Sequence, residues 1–126
     1  MPADHCCSEI EDFTQPWPYA SASIDYVHIR LLYGSVPDWT HVYDEAFRVL
    51  KPGGWLEHLE CEPFMQSSNP NLRQMPKAIR LWNDIYREGG NQTGQTFEVL
   101  KQRIQDRNFE RLGMVDVVSN GWLVSL

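Results

Sequence analysis

The spacing of apolar positions changes along this chain, and the changes mark out its elements. In "SIDYVHIRLL", Ile24, Tyr26, Val27 and Ile29 form a short β-branched and aromatic run, which predicts a strand over 24–29. "GSVPDW" follows as a loop. Asp38 is a good N-cap, and Trp39, Val42, Ala46, Val49 and Leu50 then recur at helical spacing, predicting a helix from about Trp39 to Leu50. Pro52 lacks an N–H and disfavours the helical region for Lys51, so that helix should end there. Lys51-Pro52-Gly53-Gly54 has Pro second and Gly third, the pattern of a type II turn whose third residue needs positive φ. Arg48 and Lys51 suit the negative end of the helix dipole. Trp55 to Glu60 reads as a second strand, although Glu57 and His58 are unusual in a strand buried on both faces.

The second half is less regular. "CEPFMQSSNPNLRQMP" is a long loop with three prolines. Lys77 to Glu88 should be a helix with Ile79, Trp82, Ile85 and Tyr86 on one face, broken by "GGNQTG". Phe97, Leu100 and Ile104 mark another helix, continuing with a kink to Leu112 and stopped by Gly113. "MVDVV" and "WLVSL" are strand-like on either side of an Asn120-Gly121 turn. Trp39, Trp55, Trp82 and Phe97 read as core residues, with a substrate-facing role also open to Trp82. Residues 1–22 are acidic, carry Pro16 and Pro18, and read as an irregular lead-in to one partial domain over 23–126.

The order is therefore β-α-β, a loop, then α-α-β, an α/β arrangement. Two strands joined by a helix should lie parallel with a right-handed crossover. Ligands in such sheets sit at the carboxyl ends of strands, here His28 to Leu32 and Leu59 to Pro63.

Composition narrows the function classes. The 126 residues are 42% hydrophobic with five Trp, which suits a packed core. A net charge of −6 disfavours general nucleic-acid binding, which needs a basic footprint. No apolar run reaches the ~18 residues of a membrane span. "MPADHCC" has neither the basic nor the apolar region of a secretory signal, and three cysteines make a poor disulfide framework. The expected location is intracellular, in cytoplasm or nucleus. His5, Cys6, Cys7 and Cys61 invite a zinc reading, but adjacent cysteines do not match the usual ligand spacing, so no metal is expected.

Taken in order, "EIEDFTQPWPY", "IDYVHIR", "PDW", "LKPGGWLEHLE", Leu81-Trp82 and "GMVDV" resemble class I S-adenosylmethionine-dependent methyltransferases of the fungal LaeA-like type. The resemblance covers about residues 8 to 118. It implies a partial Rossmann-like methyltransferase fold, with the first two strands here matching the family's fourth and fifth. It also implies S-adenosyl-L-methionine as cofactor and a small-molecule or protein methyl acceptor. Glu9 and Ile10 match positions beside the adenine. His28, Ile29 and Arg30 would face the methionine part, with His28 the candidate base. Glu60 and Glu62 would leave the fifth strand on the substrate side, near Trp82. Methyl transfer is a direct displacement that depends on aligning donor and acceptor.

The departures are equally specific. No G-x-G pattern occurs anywhere, so the family's glycine-rich cofactor loop has no counterpart, and the match is to the C-terminal half of the fold. The expectation is a truncated, weak or inactive chain on its own. The alternative is a catalytically dead remnant that binds another protein through an exposed edge at strand 24–29, with oligomerisation or poor solubility as its signature. Plainer readings stand beside these: His28 and Arg30 as strand-end residues with solvent or salt-bridge partners, Glu57, Glu60 and Glu62 as solvated or paired carboxylates, and Glu9 with its neighbours as an acidic loop.

Overall fold

The computed structural model describes residues 6–124. It contains β1 (Ile24–Arg30), α1 (Trp39–Val49), β2 (Leu50–Leu59), α2 (Lys77–Thr93) and α3 (Ile104–Arg111). β1 and β2 form a two-stranded parallel sheet, with Tyr26 opposite Trp55, His28 opposite Glu57 and Arg30 opposite Leu59. The expected β-α-β unit is present, and the arrangement is a small α/β, partial Rossmann-like fold.

α1 starts where the side chain of Asp38 accepts from the N–H groups of Thr40 and His41, at 2.9 and 3.4 Å. Its buried residues are Trp39, Val42, Tyr43, Ala46 and Val49, one stripe at helical spacing. The stripe packs on Ile29 and Leu56 from the sheet, with Val36 and Val99 closing the cluster. Val36, Val42, Val49 and Val99 are almost wholly buried, and burial of each contributes roughly 1.5–3 kcal/mol.

The Pro-Gly-Gly segment serves architecture. The ladder opens with Ile24 opposite Leu50, slips, and resumes at Tyr26 and Trp55, so Lys51 to Gly54 bulge out of the strand. β2 is thereby assigned from Leu50 rather than Trp55. Gly53 has φ +82, as the turn chemistry requires. Gly54 has a different task, because a Cβ there would lie 3.0 Å from the Asp25 carbonyl oxygen of β1. One glycine supplies the turn and the next lets the strands approach.

Four expectations are corrected. α2 runs through Gly89 and Gly90 to Thr93 and ends at Gly94, φ +71, whose N–H bonds to the Gly90 carbonyl. Glycine lowers helix propensity without forcing a break, and residues 95–97 fold back close to Gly90. Residues 97–103 are a bend followed by turns over 99–103, not helix, and Arg103 takes a left-handed conformation, φ +55, immediately before α3. "MVDVV" and the described part of "WLVSL" form no strand; Val115, Val118, Trp122, Leu123 and Val124 are exposed and have no ladder partner. Trp55 and Trp82 are not core residues, at 61% and 40% exposure, because Trp55 lies on the open face of the sheet and α2 carries Trp82 outward.

Candidate functional site

Strand alternation divides the sheet into two faces with different chemistry. Val27, Ile29, Leu56 and His58 lie on the side covered by α1, while Tyr26, His28, Arg30, Trp55, Glu57 and Leu59 lie on the open side. On the open face, the Tyr26 hydroxyl donates to Glu57 at 2.8 Å, and His28 Nδ1 lies 3.4 Å from the same carboxylate. His28 is therefore a strand residue with a cross-strand acidic partner.

The covered face leads to a buried polar chain at the carboxyl ends of the strands. The Tyr43 hydroxyl lies 2.5 Å from His58 Nδ1, and His58 Nε2 lies 3.1 Å from Glu60 Oε1. Neither His58 nor Glu60 exposes any of its side chain. Burial pushes the Tyr43 phenol well up, and the Glu60 carboxylate adds to the shift. The phenol thus keeps its proton and donates to Nδ1, leaving Nε2–H to donate to Glu60. The Trp39 ring packs over the imidazole at 5.0 Å, and Gln105 donates to the His58 carbonyl at 2.9 Å.

Glu60 also holds the loop after β1. Its two oxygens accept the backbone N–H groups of Leu32 at 2.7 Å and Tyr33 at 3.3 Å. This one carboxylate ties the end of β2 to the end of β1, and through His58 and Tyr43 to α1. Chemically the arrangement positions a loop; with no solvent access it is not a free acid or base.

The expected site residues separate into distinct environments. Glu9 lies on the irregular lead-in and accepts from the Tyr19 hydroxyl at 3.2 Å, while Ile10 is fully exposed. Ile29 is buried beneath α1, whereas His28 and Arg30 are on the opposite face. Glu62 accepts the Lys101 N–H at 2.7 Å, tying the loop after β2 to the segment before α3. The Trp82 indole donates to the Pro63 carbonyl at 2.7 Å and fixes that loop to α2. Tyr43 and His58 were not singled out from the sequence. The signal was present: His58 shares the inward parity of Leu56 and Glu60, and Tyr43 stands next to Val42 on the apolar stripe of the helix.

The lead-in is anchored by a second polar cluster. Arg48 pairs with Glu45 through two contacts, 2.9 and 3.1 Å, and also donates to the carbonyls of Trp17 and Tyr19. Glu45 accepts the Trp17 N–H at 2.7 Å. The Arg48 guanidinium first, then the Trp17 N–H, hold the Glu45 carboxyl down to about 2. Cys6, Cys7 and Cys61 are free and exposed, and His5 lies outside the described residues. No group of three His, Cys, Asp or Glu among the described residues could hold a metal ion.

The methyltransferase domain family matches this chain over residues 4–112. The chain is 27% identical over 108 residues to the secondary metabolism regulator laeA of Aspergillus flavus, covering 84% of this chain and 28% of that protein. It is 30% identical over 82 residues to the protein-methionine methyltransferase laeA of Emericella nidulans, covering 65% of this chain and 21% of the relative. With a secondary metabolism regulator of Gibberella fujikuroi it shares 30% identity over 110 residues, 84% of this chain and 34% of the relative. Across these three the chain spans 21% to 34% of the relative's length. No solved structure matches it significantly.

Proposed function

This chain belongs to the S-adenosylmethionine-dependent methyltransferase domain family, of the LaeA-like type, and from that premise we propose that it carries a strand-end half of a methyl-transfer site and binds the donor weakly, if at all, by itself. One observation carries the reading. Glu60 fixes the carboxyl ends of two parallel strands relative to each other, which is where open parallel sheets place their ligands. The residues matched to cofactor positions do not fit the donor as a set. His28 and Arg30 face away from Ile29, and Glu9 and Ile10 stand on the exposed lead-in. The acceptor is a small molecule or a protein; a relative named for protein-methionine methyl transfer supports the latter. Exposed free thiols support a reducing, intracellular location, and no helix among the described residues is long and apolar enough to cross a membrane.

Calorimetric titration of the folded chain with S-adenosylhomocysteine tests this. The expected result is no binding in the micromolar range. Micromolar binding would overturn the half-site reading.

A second reading has its own observation. The outer edge of β1 has no strand partner among the described residues, and the open face beside it carries Tyr26, Trp55 and Leu59. Pairing of that edge with another chain is the interaction-module alternative. Concentration-dependent sedimentation distinguishes it, since a monomer at all concentrations with no captured partner counts against it.

A further inference from the structure

We propose that the outer face of α2 is a docking surface for a second copy of this chain, with the two helices antiparallel.

α2 is 17 residues long, and Gly90 alone among them is buried. The helix is held from one side. Asn83 exchanges two hydrogen bonds with the Met65 backbone, both at 2.8 Å, and the Tyr86 ring meets Phe97 edge to face at 5.1 Å. At about 3.6 residues per turn, Leu81, Ile85 and Gly89 form one ridge on the side away from Asn83 and Gly90, with Ala78 beside it. Leu81 and Ile85 are 58% and 60% exposed, and a Cβ on Gly89 would meet nothing within 4 Å. An apolar ridge on an otherwise polar helix marks an interaction surface.

The charges beside the ridge choose the occupant. Lys77 and Glu88 stand on the same flank of it, near opposite ends of the helix. Both are exposed, and neither has an ion pair among the described residues. In an antiparallel pair centred between Leu81 and Ile85, Leu81 meets the partner's Ile85, and Ala78 comes level with the partner's Gly89. Lys77 then meets the partner's Glu88, and two-fold symmetry makes every contact twice. Ala78 and Gly89 leave room for the helices to approach at both ends. Parallel pairing would instead set each charge level with its own copy. The net charge of −6 disfavours an anionic membrane surface as the cover.

Sedimentation equilibrium on the full chain is the test. The expected result is a reversible dimer with a dissociation constant of about 10–100 µM, the weak range of a small interface. Ile85→Glu buries a charge in the ridge and should weaken the dimer about tenfold or more. Lys77→Glu alone and Glu88→Lys alone should each weaken it about tenfold, because two like-charged pairs replace two opposite ones. An equimolar mixture of those two variants should associate again, since each mixed pair restores both attractions. All three positions are exposed, so the variants should fold, with circular dichroism as the check. A chain that stays monomeric to about 1 mM would overturn the assignment. So would a dimer indifferent to Ile85→Glu, which would belong to the β1 edge, or a mixture that does not associate.

Discussion

Replacing Glu60 by Ala should be among the most damaging single changes in this chain. The carboxylate is fully buried and accepts from Leu32 N, Tyr33 N and His58 Nε2, at 2.7, 3.3 and 3.1 Å. Alanine leaves all three donors without a partner. Each buried, unsatisfied donor costs about 1–3 kcal/mol, and water entering the space would recover part of that. A net loss of about 3–5 kcal/mol follows, a large share of the roughly 5–15 kcal/mol that holds a domain together. Glu60→Gln keeps one acceptor oxygen but aims an NH₂ group at a donor, so it should cost less, about 1–2 kcal/mol. Urea unfolding followed by circular dichroism and tryptophan fluorescence measures both, with an unchanged slope confirming that stability alone has altered. A loss below about 1 kcal/mol in Glu60→Ala would refute the clamp, because the three donors would then have other partners.

Acid should weaken the anchoring of the lead-in. The Glu45 carboxyl titrates at about 2 against an ordinary 4.5, so its ion pair contributes above about pH 4.5 and is lost as the pH falls toward 2. The two side chains are 15% and 34% exposed, so after solvent screening the contribution is on the order of 1 kcal/mol. Stability of the wild type and Glu45→Gln should therefore converge across that window, and parallel pH profiles would contradict it. The two glycines of the turn should separate. Gly53→Ala strains only a positive φ in open space and should cost about 1 kcal/mol. Gly54→Ala meets the Lys51 and Asp25 carbonyl oxygens at 2.9 and 3.0 Å and should cost more, at roughly 2 kcal/mol, with equal melting temperatures as the contrary result.

The β-α-β unit was legible because each of its signals agreed with the others. Asp38 marks the start of the helix, the apolar stripe gives its period, and Pro52 lies shortly beyond its end at Val49. The remainder failed for identifiable physical reasons. The strand character of "MVDVV" and "WLVSL" is a preference for a pleated surface, and the preference is not expressed where no neighbouring strand offers a ladder. Gly89 and Gly90 lie inside a helix because glycine lowers helix propensity by only about 1 kcal/mol, and the helix stops instead at Gly94, whose φ is +71. At the site, the sequence offers Glu60 both as a substrate-side residue and as a paired carboxylate, and the structure shows its pairing. A carboxylate at a strand end suggests chemistry, and only the loop folded over it shows that its lone pairs go to backbone donors. His28 drew attention by its position in a motif, while His58, two residues before Glu60 on the inward side, was passed over as an oddity of a buried strand.

Amide hydrogen exchange at Leu32 and Tyr33 tests most directly whether the strand ends form a preformed half-site. These two N–H groups belong to a loop, so without the carboxylate they should exchange as loop amides do. The account predicts that they exchange as slowly as Ile29 in β1, and that Glu60→Ala releases them while β1 stays protected. Rapid exchange at both positions in the unaltered protein would contradict it.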